Sequence, residues 1–176
     1  GFIKMDRVIE INNGNISELI VSDNNVISTK TTDVILLSDM NIKKVVITNN
    51  SITSGRSGIF ITGGNIADIS ISDNIIQNVQ RTGILIDTSD TSLNIYNNTI
   101  NNASREETGY SAIDLYNVRY ASIHSNKVSD SYGQTKYGVC EDSGCDYNSI
   151  YSNRIKNMNS GFVYIQGAHS TEKNND

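Results

Sequence analysis

One pattern recurs six times along the chain. Two apolar residues stand two apart, an asparagine follows three later, and another apolar residue comes two after that. It reads Leu19, Val21, Asn24, Val26, then Val45, Ile47, Asn50, Ile52, then Ile69, Ile71, Asn74, Ile76. It continues as Leu93, Ile95, Asn98, Ile100 and as Ala121, Ile123, Asn126, Val128, and closes as Asn148, Ile150, Asn153, Ile155 with one polar departure. The asparagines are 26, 24, 24, 28 and 27 residues apart. A period in this range marks a stacked repeat, in which no single unit buries its own apolar face.

A second apolar segment follows each asparagine. These read Val34-Ile35-Leu36, Gly58-Ile59-Phe60-Ile61, Gly83-Ile84-Leu85-Ile86, Ala112-Ile113-Asp114-Leu115, Gly138-Val139-Cys140 and Gly161-Phe162-Val163-Tyr164, with a partial early copy at Arg7-Val8-Ile9-Glu10-Ile11. No stretch sustains a 3.6-residue apolar period. Composition agrees: 24 Asn, 26 Ile and 22 Ser stand against six Leu and no proline. Isoleucine favours strands, and asparagine and serine favour the turns between them.

Two architectures suit such a repeat. The spacing of Ile16, Leu19, Val21, Asn24 and Val26 also fits a leucine-rich repeat, which wants leucines and a helical convex side. The scarce leucines and the strand-like second segment argue against it. The pattern resembles the pectin-lyase-like repeat family over residues 7–166. The fold expected is all-β, a right-handed single-stranded parallel β-helix of about seven coils. Residues 1–176 would form one domain, itself a fragment of a longer chain. Each coil should lie about 4.8 Å above the last, so equivalent residues stack in columns. Val21, Ile47, Ile71, Ile95, Ile123 and Ile150 would form an inward β-branched column. The asparagines would sit at corners, tolerate left-handed backbone geometry and bond amide to amide between coils. The polar tail, residues 170–176, is the only evident cap.

The net charge of −5 argues against a nucleic-acid partner. No apolar run approaches the roughly 20 residues of a membrane span, so no membrane contact is expected. Residues 1–10 do not read as a signal peptide, so any export signal would be absent or already removed. Cys140 and Cys145 lack the ligand company of a zinc site; they suit a local disulfide or free thiols equally. His169 is alone near the tail.

Function should sit where the repeat is broken. The loop from Asn98 to Ser111 spans 13 residues and that from Asn126 to Gly138 spans 12, against 8 or 9 elsewhere. Two long loops on one edge make a wall beside a sheet, and so a groove. All nine tyrosines lie at or beyond position 96, and Tyr110, Tyr116, Tyr132 and Tyr137 flank these loops. Tyrosine offers stacking area with a polar tip, which suits sugar rings. Tyr96, His124 and Tyr151 would form an outward stack, either a structural ladder or a binding surface.

Asp114 and Glu141 stand at comparable places after the two long loops, with Asp142 beside Glu141. A one-residue shift, with Ala112 in the glycine's place, would turn Asp114 outward and set two carboxylates about 5 Å apart on adjacent coils. Such a pair splits into an acid and a base, and that spacing suits a retaining glycosidase. Asp87 on the previous coil could join them. The same acids would also serve as turn or surface groups, and clustered oxygens would suit Ca²⁺; no other cofactor or metal is expected. Arg105, Arg119 and Lys136 could meet an acidic polysaccharide.

The resemblance implies action on polysaccharides, as in pectate lyases, polygalacturonases, alginate epimerases and phage tailspikes. The motif sets of the first three are missing here, several because there is no proline. What remains is the tailspike or surface-appendage type. It implies a polysaccharide-binding and polysaccharide-degrading module, hydrolase or lyase, at a cell surface, outside the cell or on a virion. Asp114, Glu141 and Asp142 would be its acid/base groups, and Asp87, Tyr96, Tyr110, Tyr116, His124, Lys136, Tyr137 and Tyr151 its substrate contacts. The alternative is a non-catalytic adhesion or structural segment. An outward apolar stripe of Ile35, Phe60, Leu85, Cys140 and Val163 would suit a homotrimer.

Overall fold

Each coil is three short strands separated by three corners, and the corners are where the chain spends its asparagine. A computed structural model describes residues 3–5, 9–28, 32–89 and 92–176. Its strands form three seven-stranded parallel sheets joined in right-handed turns, and no helix occurs among the described residues. Sheet B contributes the first strand of a coil, sheet C the second and sheet A the third; coil 3, for example, is Ile59–Thr62, Asn65–Ser72 and Ile75–Gln77. Six coils are complete: residues 9–28, 35–53, 59–77, 84–101, 113–129 and 137–156. The strand Ile3–Met5 precedes them, and Gly161–Tyr164 and Thr171–Lys173 follow. The polar tail is therefore a further strand of sheet C rather than a cap. The early repeat copy begins at Arg7 and Val8, which lie outside the described residues.

The interior is a set of aliphatic columns. Val26, Ile52, Ile76, Ile100, Val128 and Ile155 fill it from sheet A, while Ile35, Ile59, Ile84, Ile113 and Val139 fill it from sheet B. Branched side chains stacked one strand spacing apart exclude water along the whole rod. Glycine keeps one inner corner open. A Cβ on Gly83 would meet Ile100 Cγ2 at 2.7 Å, and one on Gly138 would meet Ile155 Cγ2 at 2.5 Å. Ala112 holds that place in coil 5, where the matching sheet A residue is the smaller Val128.

From Asn50 to Asn153 the repeated asparagine is buried, and its amide is bonded on both sides. Asn98 Nδ2 donates to Asn126 Oδ1 at 3.0 Å and to the Ile71 carbonyl at 2.9 Å. Its Oδ1 accepts from the Asn74 N–H at 3.0 Å and from Asn74 Nδ2 at 2.9 Å. The ladder runs unbroken from Asn24 to Asn175. The left-handed residue at this corner is the one before the asparagine: Asp23, Asn49, Asp73, Asn97, Ser125 and Ser152 have φ of 54–58°. The ladder asparagine is there for its amide, not its backbone freedom.

The outward column of sheet B is Leu36, Phe60, Leu85, Asp114 and Cys140. Phe60, Leu85 and Cys140 face out as expected. Ile35 and Val163 do not; they sit in the inward column, Val163 opposite Val139.

Candidate functional site

The two long loops carry the chain from sheet A to sheet B, and they hold one another up. In the first, Ser104, Arg105 and Glu107 N–H groups donate to the carbonyls of Arg81, Val79 and Gln80 in the coil below. Arg81 Nε donates to Glu107 at 2.8 Å, and its guanidinium lies 5.3 Å from the Tyr110 ring centre. In the second, the Lys136 N–H reaches back to the Tyr110 carbonyl at 2.8 Å and the Thr135 hydroxyl to the Ala103 carbonyl at 2.7 Å. Asp130 organises this loop by accepting the N–H groups of Tyr132, Gln134 and Thr135. Burial works to raise its pKa, but these N–H bonds outweigh it and hold the carboxyl below its ordinary range.

Beside this wall, the outer face of sheet B forms a cleft of about 290 Å³. Phe60 and Leu85 make its apolar floor, Tyr110 and Arg81 one side, and Asp87 and Tyr116 the other. Arg56 lines it too, held bidentately by Asp33.

Asp114 ends the apolar floor. It faces outward yet is only 5% exposed. Its Oδ2 accepts the Thr82 hydroxyl at 2.9 Å and the Ser111 N–H at 3.3 Å. Burial pushes its pKa above the ordinary range against those bonds. Asp87 lies one strand over and two residues along, a diagonal of about 8 Å between Cα atoms. It accepts Asn117 Nδ2 at 3.0 Å. Burial, then the acids around it, raises the Tyr116 phenol. A buried carboxyl with a raised pKa and a half-buried one lie across the groove from each other, the arrangement that an acid and a base need.

Glu141 does not share this site. Sheet register sets Asp114 opposite Cys140, and Glu141 opposite the inward Leu115. Glu141 is 0% exposed, and neither carboxylate oxygen has a hydrogen-bond partner. Burial raises its pKa; Asn148, Ser170 and the Gly167 N–H face it and oppose the rise without reaching bonding geometry. The expected pair of adjacent carboxylates on one face is therefore absent, because Glu141 is three residues past its glycine while Asp114 is two past Ala112. Asp142 does face out, next to Tyr116, and its Oδ1 accepts the N–H groups of Asn117 and Gly144 at 3.2 and 3.0 Å.

The remaining tyrosines stack along the axis. Tyr96, His124 and Tyr151 form one outward pile on sheet C, with centroids 5.5 and 5.0 Å apart. Tyr137 stacks on Tyr164 at 4.9 Å, and Lys136 Nζ lies 5.3 Å from its ring centre. A third pile, Tyr120, Tyr147 and His169, went unread in the sequence, although its steps of 27 and 22 residues match one coil. His169 is not alone: its Nδ1 is 3.0 Å from Asp146 Oδ1. Within each pile the rings cover one another's faces, so the inner rings meet solvent by their edges. Cys140 and Cys145 are free thiols, pushed by burial to about 11 and about 12.

Set beside known proteins, the sequence fits over residues 4–175 the family model described as periplasmic copper-binding protein (NosD). The chain belongs to the NosD family. No curated protein matches it. Among solved structures it is similar to the A-module of Azotobacter vinelandii mannuronan C-5 epimerase AlgE6, with a TM-score of 0.59 and 14% identity. That match covers 97% of this chain and spans 57% of the A-module's length. At this identity the likeness is one of fold.

The copper wording can be tested on the donors of this NosD-family chain. Copper sites gather imidazole, thiolate or thioether ligands. Here His124 lies inside one aromatic pile and His169 in another. Burial keeps both thiols protonated at neutral pH. Met40 is buried, and its sulfur accepts the Gly14 N–H at 3.3 Å. Among the described residues no three His, Cys, Asp or Glu side chains come together as a metal-holding group, for copper or for Ca²⁺. Among the described residues, these His, Cys and Met40 donors do not come together as a copper centre.

Proposed function

We propose that this NosD-family chain is an exported polysaccharide-binding β-helix module that cleaves the glycan held in the sheet B cleft. One observation carries the reading. A column that is aliphatic or aromatic through coils 2 to 4 becomes a buried carboxyl, Asp114, at the loop wall, and burial raises its pKa. Phe60 and Leu85 would take the apolar face of a sugar, and Tyr110 and Tyr116 its edges. Asp114 would donate its proton to the glycosidic oxygen. Asp87, across the cleft, would accept a proton from water. Asp142 would contact substrate at the far rim. Of the residues that suggested a trimer face, only Phe60 and Leu85 make the cleft floor, and Ile35 and Val163 point inward, so the outward apolar surface suits a glycan better than a second copy of the chain. An envelope location agrees with the periplasmic wording of the family, and a glycan ligand with the polymer named for the AlgE6 module.

The test is a panel of bacterial and plant polysaccharides, read for binding and for new reducing or unsaturated ends. We expect reducing ends from the wild type and a loss of about 10²–10⁴-fold in Asp114→Asn with binding retained. Full activity in that variant would remove the assignment. Binding with no release by the wild type would leave a lectin-like module, a reading that the near-complete burial of Asp114 favours.

A further inference from the structure

The outer face of sheet A carries a second feature, independent of the cleft. Within coils 2 to 4 its two outward columns are neutral: Ser51, Ile75 and Thr99 in one, Thr53, Gln77 and Asn101 in the other. In coils 5 and 6 they turn basic. Lys127 lies directly opposite Arg154 on the next strand, and Lys156 opposite Ser129. Like charges one strand apart repel. Elsewhere the chain answers a ladder cation with an acid, as where Lys44 meets Glu18 at 3.0 Å on the neighbouring strand of sheet C. Among the described residues Lys127, Arg154 and Lys156 have no ion pair. Asp176 lies one coil beyond Arg154, its N–H bonded to the Asn153 carbonyl at 3.0 Å, and makes no ion pair with it. Asp130, next to Ser129, spends its carboxylate on three N–H groups of its own loop.

A hollow of about 240 Å³ lies between these side chains, and no carboxylate lines it. The Ser129 hydroxyl donates to Asn101 Oδ1 at 2.7 Å, which leaves the Asn101 amide N–H₂ free to donate. Thr99 adds a hydroxyl. The hollow therefore offers ammonium, guanidinium, amide and hydroxyl donors together, in a chain whose net charge is −5. The basic run continues toward sheet B over the loop wall, where Arg105 and Lys136 each lie over a tyrosine ring, at 5.1 and 5.3 Å from its centre.

We infer that this face binds the carboxylate or sulfate groups of an acidic polysaccharide, with Lys127, Arg154 and Lys156 as its contacts. The inference rests on the glycan reading above and narrows it to polyanionic chains. Lys127 and Arg154 stand one strand spacing of about 4.8 Å apart, close enough for one anionic group to bridge them, and Lys156 lies two residues along from Arg154.

The experiment measures affinity of the full chain for polygalacturonate and for a neutral glucan across a salt series. Three proteins are compared: wild type, a triple Lys127→Ala, Arg154→Ala, Lys156→Ala variant, and a cleft variant, Phe60→Ala. All three substituted cations are exposed, so the triple variant should fold. The expected results are polygalacturonate binding that falls as salt rises, and a loss of about tenfold or more in the triple variant. Unchanged binding in the triple variant, salt-insensitive binding, or capture by phosphatidylglycerol vesicles in place of polygalacturonate would overturn the inference. If the triple variant loses polygalacturonate while Phe60→Ala changes neither ligand, the sheet A site stands and the cleft reading falls. If Phe60→Ala loses the glucan and the triple variant keeps polygalacturonate, the reverse holds.

Discussion

Coils 1 to 3 and coils 4 to 6 share one skeleton and differ in almost everything placed upon it. Both halves have the aliphatic columns and the asparagine ladder. In the first half the sheet C strands are eight residues long, the corners are tight and there is no tyrosine. In the second half those strands shrink to between three and five residues, two loops lengthen, and tyrosine and histidine stack outside. Polar groups also enter the interior there: Glu141 opposite Leu115, and Asn148 opposite Ala121 in register. The contrast separates what specifies the fold from what is free to vary. The inward columns of each sheet and one amide per coil keep the register, so outward positions can be respecified coil by coil.

If the skeleton is truly common, removing a ladder amide should cost the same in either half. Asn74→Ala would leave the Asn50 N–H and the Ile47 carbonyl unpaired in the interior; Asn126→Ala would do so for the Asn98 N–H and the Ile95 carbonyl. At about 1–3 kcal/mol for each stranded group, each variant should lose about 2–6 kcal/mol in denaturant unfolding. Unequal losses would mean that the halves are not equivalent.

The interior polarity of the second half should show itself in pH. Glu141 has its folded pKa raised by burial, so the group favours folding most below the ordinary carboxylate range. As pH rises through the unfolded pKa, near 4.3, the unfolded chain ionises and the native state resists. Glu141→Leu should therefore gain about 1–3 kcal/mol over the wild type at pH 7 and little at pH 3. Glu141→Gln should flatten the wild-type pH dependence. A gain independent of pH would place Glu141 in water.

The effect expected at the outer piles is no larger than that at Glu141. Tyr147→Ala would remove stacking on both Tyr120 and His169, worth about 0.5–1.5 kcal/mol for each pair. The loss should appear as a modest drop in melting temperature.

The architecture was legible because inward positions and corner amides recur at fixed spacing from one another. Sidedness was lost where a loop intervened. Counting from Asn126 across 12 residues cannot say which way Glu141 points; counting from Gly138, fixed by its contact with Ile155, can. The left-handed corner was misplaced by one residue because asparagine serves both roles, and only the ladder's bonds tell them apart. The cleft was half legible. Tyr110, Tyr116, Asp87 and Asp114 were named, but Arg56 and Arg81 come from coils with ordinary loops and carried no signal of their own.

The ladder also gives the rod an electrical direction. From Asn24 to Asn175 every side-chain amide hands its N–H to the oxygen of the next, so their dipoles add rather than cancel. Linked donors and acceptors polarise one another in a low-dielectric interior. Turning one amide around would break the bond on each side of it, so the whole file must point one way. The two ends of that edge are therefore electrostatically unlike, with hydrogens leading toward the C-terminal coil and oxygens toward the N-terminal one.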